Sequence, residues 1–401
     1  MRIPQTDRVG KWIWSERNIY LLYLVVFSLA TLQKLFFTDK PFNNFEIFRY
    51  SFYNLLHNND LYAAYPQYYF DLFKYNPSFA LLMAPFWVIP KTLGVMIWNL
   101  GNAMLPQYAV NQLHISIRAK VFFALFILIE MLTSVQNAQS NGIMLGLMLL
   151  MFVHLENKNP MSSALMMVLG FFVKIFAVLT ILLLIFNTVR KKFILWAMLF
   201  ILVIGFLPAL IIGFMPLLLQ YQQWFHLLIN DAPHQLNYSI MSFGARSLSL
   251  TLPNVYYLAG GIMLLLIPLH RFNYYVNYAW RLKYLSAILV WVVIFNHKAE
   301  SPTFVIAMAG AALWFIVAKK TTYRWSLLVF VFVFTGLAAT DVFPPTLREN
   351  FIRPYAIKVL PCIILFLTMI FDLLFGKFSY KSDVIEIQHL TNNDPLPAEA
   401  K

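Results

Sequence analysis

Long apolar runs separated by short polar segments make up most of the chain. The first run covers residues 18–37, and further runs follow up to about residue 375. An α-helix needs about 20 consecutive apolar residues to cross the hydrocarbon core of a bilayer. The pattern therefore predicts an all-α polytopic membrane protein with about 12 to 13 transmembrane helices.

Four of the apolar runs are short. They cover residues 142–155, 161–173, 175–187 and 303–318. At about 13 to 16 residues they fall below the length of a full crossing. Helices that end at membrane depth are tolerated only where they are buried in protein or line a cavity. We therefore expect a solvent-filled notch at their polar ends.

Residues 77–113 contain two apolar segments that are split at Pro90–Lys91. If both were full crossings, Arg118 would lie outside and every later loop would be inverted. We therefore expect one net crossing, with one piece short or re-entrant.

A first outer loop is predicted over residues 38–76. Its apolar residues at helical spacing are Phe45, Phe48, Phe52, Leu55 and Leu56. They predict an amphipathic helix that lies on the bilayer surface. The loop tyrosines suit an aromatic belt at the water–lipid boundary; they are Tyr62, Tyr65, Tyr68, Tyr69 and Tyr75.

Composition excludes a soluble domain, because 60% of the residues are hydrophobic and only 12% are charged. The net charge of +13 does not indicate nucleic-acid binding, since the basic residues cluster in short loops as membrane topology requires. The single cysteine, Cys362, lies in an apolar run, which excludes a disulfide framework and a cysteine metal site.

The basic segments also predict the topology. Residues 1–17 form a cytoplasmic N-terminus, residues 18–375 one transmembrane domain, and residues 376–401 a disordered cytoplasmic tail. With the later basic loops also cytoplasmic, several polar segments share the outer side with the first loop. These segments are residues 136–141, the surroundings of Lys174, and residues 221–250 and 296–302.

Carboxylates of the first loop are candidate general bases, because transfer of a group to an acceptor hydroxyl needs one carboxylate to accept the proton of that hydroxyl. Glu46 and Asp71 lie among aromatic residues and are the candidates. Asp60 lies in the sequence HNND, where aspartate is a common turn residue.

Cationic side chains beside apolar runs are candidates for binding a phosphate. They are Lys298 and His297 in NHKAESP, Lys174 in FFVKIF, and Arg246 in SFGARS. Interfacial anchoring is the structural alternative. Glu300 is expected to orient Lys298, and Glu130, inside another apolar run, to pair with Lys174 or face the notch.

Amides of the same outer segments complete the expected pocket, namely Gln139, Asn141 and Asn237. The sequence contains no Asp-x-Asp motif, no glycine-rich phosphate loop and no nucleophile motif. We therefore expect neither a metal nor a cofactor.

Six segments in order resemble glycosyltransferase family 87, the polytopic GT-C enzymes that include polyprenol-phosphate-mannose-dependent α-1,2-mannosyltransferases. The segments are NNFEIFRYSFYNLLHNNDLYAAYP, KYNPSFALLMAPFWVIP with IWNLGNA, QNAQSNGIMLGLMLL, LGFFVKIFAVLTILLLI, LNYSIMSFGARS and FNHKAESPTFVIA. The resemblance extends over about residues 18–340.

The resemblance implies a GT-C fold, a lipid-phosphate-linked hexose as donor, and no nucleotide sugar or metal. It also exposes a departure, because the position of the family's catalytic aspartate is occupied by Asn44, an amide that cannot act as a base. Glu46 lies two residues on and would face nearly the opposite side of a helix. Glu46 can therefore substitute only if the backbone there is not helical; Asp71 is the other candidate.

The sequence thus predicts a plasma-membrane glycosyltransferase with an extracytoplasmic active site. Its partners are a lipid-linked sugar donor, a lipid or glycan acceptor and membrane lipids. A transporter or flippase of lipid-linked sugars, an oligosaccharide ligase or polymerase, and a non-catalytic homologue remain open as alternatives. A transporter would be favoured by an inverted repeat of broken helices, which the sequence does not display.

Overall fold

A computed structural model of the chain describes residues 15–39, 41–230, 237–338 and 340–378. These residues form helices and turns, with no strand in the part of the chain described. Residues 1–14 and 379–401 lie outside the described residues, so the cytoplasmic N-terminus and the disordered tail stay predictions.

The chain forms two compact units whose segments alternate along the sequence. Unit 1 comprises Met1–Leu22, Val110–Glu130 and His234–Lys401. Unit 2 comprises Tyr23–Ala109 and Met131–Pro233. The prediction of a single transmembrane domain over residues 18–375 stays a prediction.

The helices of the first half of the chain lie mainly in unit 2, and three of them contribute residues to both units, namely Glu16–Phe37, Lys91–Asn111 and Ile117–Gln136. In chain order they are α1 Glu16–Phe37, α2 Asn43–Leu56, α3 Pro77–Leu82, α4 Ala84–Val88, α5 Lys91–Asn111, α6 Ile117–Gln136, α7 Asn141–Glu156, α8 Pro160–Val173, a 3₁₀ helix Ile175–Phe186, α9 Arg190–Phe206, α10 Ala209–Ile212 and α11 Phe214–Asn230.

The remaining helices belong to unit 1. They are α12 Ile240–Ser247, α13 Asn254–Leu266, α14 Tyr278–Ile294, α15 Phe304–Val317, α16 Thr322–Val331, α17 Pro345–Leu347 and α18 Leu360–Phe375, joined by short 3₁₀ or π segments at Ile267–His270, Phe272–Tyr274, Ser301–Thr303, Phe332–Gly336, Arg348–Ile352 and Ile357–Val359.

Four stretches of the described chain are long and apolar enough to cross a membrane. They are Glu16–Phe37, Ile117–Gln136, Arg190–Ile212 and Ile357–Phe375, and shorter apolar helices accompany them. The prediction of an all-α polytopic membrane protein is confirmed.

The four short apolar runs are short helices with the bounds expected from the sequence to within two residues: α7, α8, the 3₁₀ helix Ile175–Phe186 and α15. The extended backbone of Lys174 separates α8 from the 3₁₀ helix. A 3₁₀ helix rises about 2.0 Å per residue, so this unusually long one covers about 24 Å, more than an α-helix of equal length.

The segment 77–113 is divided at Pro90. The helices α3 and α4 on one side have six and five residues, whereas α5 on the other has 21. At about 1.5 Å per residue, only α5 has the length of a crossing.

The apolar stripe of α2 is divided between the protein core and the surface, because Phe52 is half-buried and Leu56 is 49% exposed. Phe45, Phe48 and Leu55 are buried inside unit 2. The ring of Phe48 packs edge-on against Tyr75 and Phe79, with centroids 5.0 and 5.3 Å apart. The buried part of the stripe is therefore part of the core of unit 2, because the loop that follows folds back over it.

Two of the five loop tyrosines are buried and so depart from the predicted belt. Tyr62 and Tyr69 are 8% and 3% exposed. The Tyr62 hydroxyl donates to the Tyr75 carbonyl over 3.0 Å. Burial raises the pKa of both Tyr62 and Tyr69. These two side chains hold the outer loop together, whereas Tyr68 is exposed and stacks on Tyr50.

Close packing of α7 on α5 fixes the polar segment that precedes α7. A Cβ atom on Gly142 would lie 2.2 Å from the Asn102 carbonyl oxygen, and one on Gly146 would lie 2.5 Å from Leu105. Two glycines four residues apart let helix backbones approach closely, as in membrane helix pairs. The Asn102 side chain also accepts from the Ile143 amide over 3.0 Å.

Unit 1 is built around α14, α15 and α18. All of α14 is buried, and so is most of α15. Asp372 near the end of α18 accepts from Arg324, Trp314 and Lys283 at 2.6, 2.9 and 3.3 Å.

The other end of α18 holds a buried ion pair. The Lys358 ammonium lies 2.7 Å from a Glu130 carboxylate oxygen. The expected pairing of Glu130 with Lys174 is wrong, because the partner of Glu130 is Lys358.

Candidate functional site

The residues expected at the site are divided between the two units. Unit 2 contains Asn44, Glu46, Asp71, Gln139, Asn141 and Lys174, and unit 1 contains Asn237, Arg246, His297, Lys298 and Glu300. Their meeting in one pocket stays a prediction.

In unit 2, the start of α2 is fixed by asparagine side chains. Asn43 bonds both the N–H and the carbonyl of Phe70 over 2.7 Å, which ties the far part of the outer loop to α2. The Asn44 amide donates to the Asn137 carbonyl over 2.9 Å. Asn44 therefore connects the first loop to the polar segment before α7.

Glu46 does not take the place of Asn44. The backbone is helical from Asn43 to Leu56, so the two side chains diverge, and Glu46 forms an ion pair with Lys91. One Glu46 oxygen is buried and has no hydrogen-bond partner among the residues that the structure describes. The condition under which Glu46 could replace the aspartate of the family, a non-helical backbone, is not met.

Asp71 is an exposed turn residue. Its backbone φ is 74°, in the left-handed region that aspartate tolerates. Its carboxylate accepts from the Leu72 amide over 2.8 Å and pairs with Lys74 at 3.1 Å. With 48% of the side chain exposed, this carboxylate is open to a substrate hydroxyl.

Asp60 also caps a turn, as its sequence context predicts. Its carboxylate accepts from the Tyr62 amide over 2.8 Å. Asp60 thus bonds the amide two residues on, whereas Asp71 bonds the amide of the next residue and has a positive φ.

A second polar group in unit 2 surrounds the start of α7. Gln139 and Asn141 are buried, and the Lys174 ammonium donates to the Asn141 side-chain oxygen over 2.6 Å. The extended backbone at Lys174 interrupts the helix and directs its side chain to this segment. The sequence placed Gln139, Asn141 and Lys174 in one pocket, and the structure brings Asn141 and Lys174 together.

In unit 1, the turn 296–303 is held by side chains and backbone from another segment. Asn237 donates its side-chain amide to the His297 carbonyl over 2.8 Å, and the Tyr238 amide donates to the Ala299 carbonyl over 2.8 Å. The Lys298 amide bonds the Asn296 side chain over 3.0 Å. His297 and Lys298 are therefore carried by a turn with a defined backbone.

The turn is also anchored near its C-terminal end, at Ser301. Ser301 accepts from the Lys358 ammonium over 2.7 Å, and Lys358 in turn binds Glu130. Lys358 and Glu130 are each 1% exposed. A buried, fully paired ammonium thus supports the turn at its far end, next to Glu300, which is exposed.

Two arginines lie beside Tyr238, which precedes α12. Burial raises the pKa of the Tyr238 phenol, while Arg353, which also bonds it, and Arg246 oppose that shift. Arg246 donates to the Arg353 carbonyl over 3.4 Å, and Glu349 pairs with the Arg353 guanidinium at 2.6 Å. Two guanidinium groups balanced by one carboxylate make this part of unit 1 electropositive.

Sequence reasoning missed Tyr238, Arg353 and Lys358. The signal for Lys358 was its place immediately before the last apolar run, where a charged group needs a buried partner. The spacing of Glu349 and Arg353, one helical turn apart, indicated an ion pair. Their proximity to Asn237 and Ser301 depends on how distant helices pack, which spacing does not reveal.

The sequence model of glycosyltransferase family 87 matches residues 73–335, more than half of the chain. The chain belongs to glycosyltransferase family 87. Membership makes the protein a membrane glycosyltransferase. No curated protein matches the chain.

The range matched by glycosyltransferase family 87 includes the cationic candidates of both units. Lys174, Arg246, His297 and Lys298 lie inside it, whereas Arg353 lies beyond its end. The range begins after Asn44, Glu46 and Asp71, so the family match does not include the carboxylate candidates.

Proposed function

We propose that the protein transfers a mannose-like hexose from a polyprenyl-phosphate sugar to a lipid or glycan acceptor on the extracytoplasmic side of the cell membrane. The observation that carries this proposal is the turn 296–303 of unit 1. It presents His297 and Lys298 on a fixed backbone, in a unit whose neighbouring segments carry Arg246 and Arg353.

The donor phosphate is the group for which these cations are suited. Charge-assisted hydrogen bonds from arginine or lysine to phosphate are about twice as strong as neutral ones, and arginine binds two oxygens at once. A polyprenyl-phosphate sugar has one negatively charged phosphate between an apolar tail and a polar sugar. Apolar helices next to a cationic turn suit that distribution of polarity.

The proposed side of the membrane follows from the two ends of the helices in unit 1. α14 runs from Lys283 to the turn, and α15 returns from the turn to Lys319 and Lys320. Loops rich in lysine and arginine remain in the cytoplasm. The turn 296–303, at the opposite ends of both helices, is then extracytoplasmic.

Asp71 is the carboxylate we propose as the base. Its side chain is half exposed, whereas Glu46 is 13% exposed and paired with Lys91. A base must come within hydrogen-bond distance of the acceptor hydroxyl, either directly or through one water. Asn44, an amide bonded to a backbone carbonyl, serves to hold the loop. No metal or cofactor is part of the proposed reaction; the lipid-linked sugar is a substrate.

The test is transfer of labelled mannose from a polyprenyl-phosphate donor by the purified protein in liposomes. We expect Lys298→Ala to abolish transfer. Arg246→Gln should lower kcat/KM by roughly 10- to 150-fold, because a hydrogen bond to a charged group contributes about 1.5–3 kcal/mol. Lys191→Ala, an exposed lysine at the start of α9, is the matched control and should transfer at the wild-type rate.

Unchanged turnover of Lys298→Ala would remove Lys298 from the site. If no donor sugar is transferred but labelled lipid crosses the bilayer, a transport function replaces the proposed one. Replacing mannose by glucose or arabinose on the same lipid distinguishes the sugar specificity from the recognition of the phosphate.

A further inference from the structure

A groove opens in unit 1 between α16 and α18, at the end of α18 that carries Asp372. Its volume is about 570 Å³. Its lining residues combine an apolar wall with a polar head; they are Thr321, Tyr323, Arg324, Ile364, Leu367, Thr368, Phe371 and Asp372. The groove is separate from the turn 296–303, which lies at the opposite ends of α14 and α15.

The apolar wall of the groove faces outward. Leu367 and Phe371 lie one helical turn apart on α18 and are 50% and 60% exposed. Ile364 continues this line at 36% exposure. A row of exposed apolar side chains along a membrane helix is suited to an acyl chain. The row ends at Asp372 and Arg324, so an occupant of the groove has one apolar and one polar end.

The polar head of the groove carries an excess of positive charge. The segments 267–283, 318–324 and 371–378 meet here, since Arg271 donates to the Gly376 carbonyl over 3.2 Å and Asp372 binds Lys283 and Arg324. Asp372 is the one acidic residue in these segments. Their basic residues are Arg271, Arg281, Lys283, Lys319, Lys320, Arg324 and Lys377.

The carboxylate of Asp372 is already saturated by its partners. It accepts from Arg324, Lys283 and Trp314, and its residue is 5% exposed. Asp372 therefore has no position left for Lys319 or Lys320, which directly precede Thr321 at the edge of the groove. Both lysines are exposed, and the Lys320 ammonium donates to the Phe315 carbonyl and lies 3.9 Å from the centroid of the Phe315 ring. The positive charge that Asp372 does not neutralise favours the binding of an anion.

We propose that this groove binds an anionic phospholipid of the cytoplasmic leaflet, with one acyl chain along Leu367 and Phe371 and its phosphate at Arg324, Lys319 and Lys320. Basic pockets between membrane helices on the cytoplasmic side bind such head groups. The helices that connect the region of the groove with the turn 296–303 are about 21 to 25 Å long, since α15 has 14 residues and α14 has 17 at about 1.5 Å each. The lipid site therefore differs from the proposed donor site, and it does not depend on the proposed function.

The experiment is native mass spectrometry of the purified full-length protein titrated with phosphatidylglycerol or phosphatidylcholine of the same acyl chains. We expect phosphatidylglycerol to bind at lower concentration. Each basic residue near a membrane surface contributes about 1 kcal/mol, so the double variant Lys319→Gln/Lys320→Gln should weaken phosphatidylglycerol binding roughly thirty-fold and leave phosphatidylcholine unchanged.

Two further variants separate charge from folding. Arg324→Lys keeps the charge and should bind phosphatidylglycerol nearly as the wild type does, whereas Arg324→Gln should bind it several-fold more weakly. Lys191→Gln, an exposed lysine of unit 2, is the control for loss of charge alone.

Equal binding of the two phospholipids, or an unaffected Lys319→Gln/Lys320→Gln variant, overturns the proposal. Displacement of phosphatidylglycerol by a polyprenyl phosphate at equal concentration also overturns it, because the groove would then belong to the donor. Sugar transfer by the double variant reports on the proposed function separately, and we expect it to persist in neutral liposomes.

Discussion

Lys358→Met should destabilise the protein more than any single exposed substitution. The Lys358 ammonium donates to Glu130 and to Ser301, each over 2.7 Å, and both members of the ion pair are 1% exposed. The substitution leaves a buried carboxylate without its cation. Removing one partner of a buried pair costs about 3–5 kcal/mol, a large share of the roughly 5–15 kcal/mol that stabilises a typical domain.

The double variant Glu130→Leu/Lys358→Met tests the reason for that loss. Replacing both partners of a buried ion pair by apolar residues is often neutral or stabilising. We therefore expect the double variant to be more stable than Lys358→Met alone, with a coupling free energy of about 1–3 kcal/mol. An additive result would mean that the two charges do not stabilise each other.

The assay is unfolding in mixed detergent micelles with increasing dodecyl sulfate, followed by tryptophan fluorescence. Lys191→Met is the matched control, because it replaces an exposed lysine in the same way. If Lys358→Met unfolds at the same dodecyl sulfate fraction as Lys191→Met, the reasoning about the buried pair is refuted.

Two further predictions concern unit 2. In the liposome transfer assay, Asp71→Asn should lower kcat by about 10²–10⁴-fold, which is the usual contribution of a general base. Asp60→Asn keeps its turn geometry and should retain the wild-type rate, and Glu46→Gln should retain most of that rate. Full activity of both Asp71→Asn and Glu46→Gln would exclude a carboxylate base. In the dodecyl sulfate assay, Gly142→Ala should lower the free energy of unfolding by roughly 1–3 kcal/mol, because its Cβ atom would lie 2.2 Å from a backbone oxygen. Gly101→Ala is the control, since a Cβ atom there would have no heavy atom within 4 Å, and it should be neutral or stabilising by up to about 1 kcal/mol. Equal stabilities of the two variants would contradict the close helix contact.

Part of the candidate site was predictable because its chemistry is local. A lysine inside an apolar run needs a polar partner, and Lys174 finds one at Asn141. The polar turn with His297 and Lys298 interrupts two apolar runs, and it lies between α14 and α15 as expected. In these cases the physical cause, the cost of placing a charge in hydrocarbon, acts on neighbours in sequence.

The first outer loop shows what local reasoning could not reach. Its aromatic spacing predicted a helix, and α2 forms over Asn43–Leu56. The same spacing gave no information on which apolar surface covers the stripe. Phe48 packs against Tyr75 and Phe79 instead of lipid, because a returning loop buries it, and an apolar stripe at helical spacing suits either environment equally well.

The sequence by itself determined that this protein is an all-α membrane protein, since hydropathy and helix length are properties of continuous segments. The tertiary structure decided which distant charges meet. Glu130 and Lys358 are 228 residues apart, and only the packing of α6 near the start of α18 brings them to 2.7 Å. Many lysines could satisfy a buried carboxylate, and the choice among them depends on helix packing rather than on any pattern near Glu130.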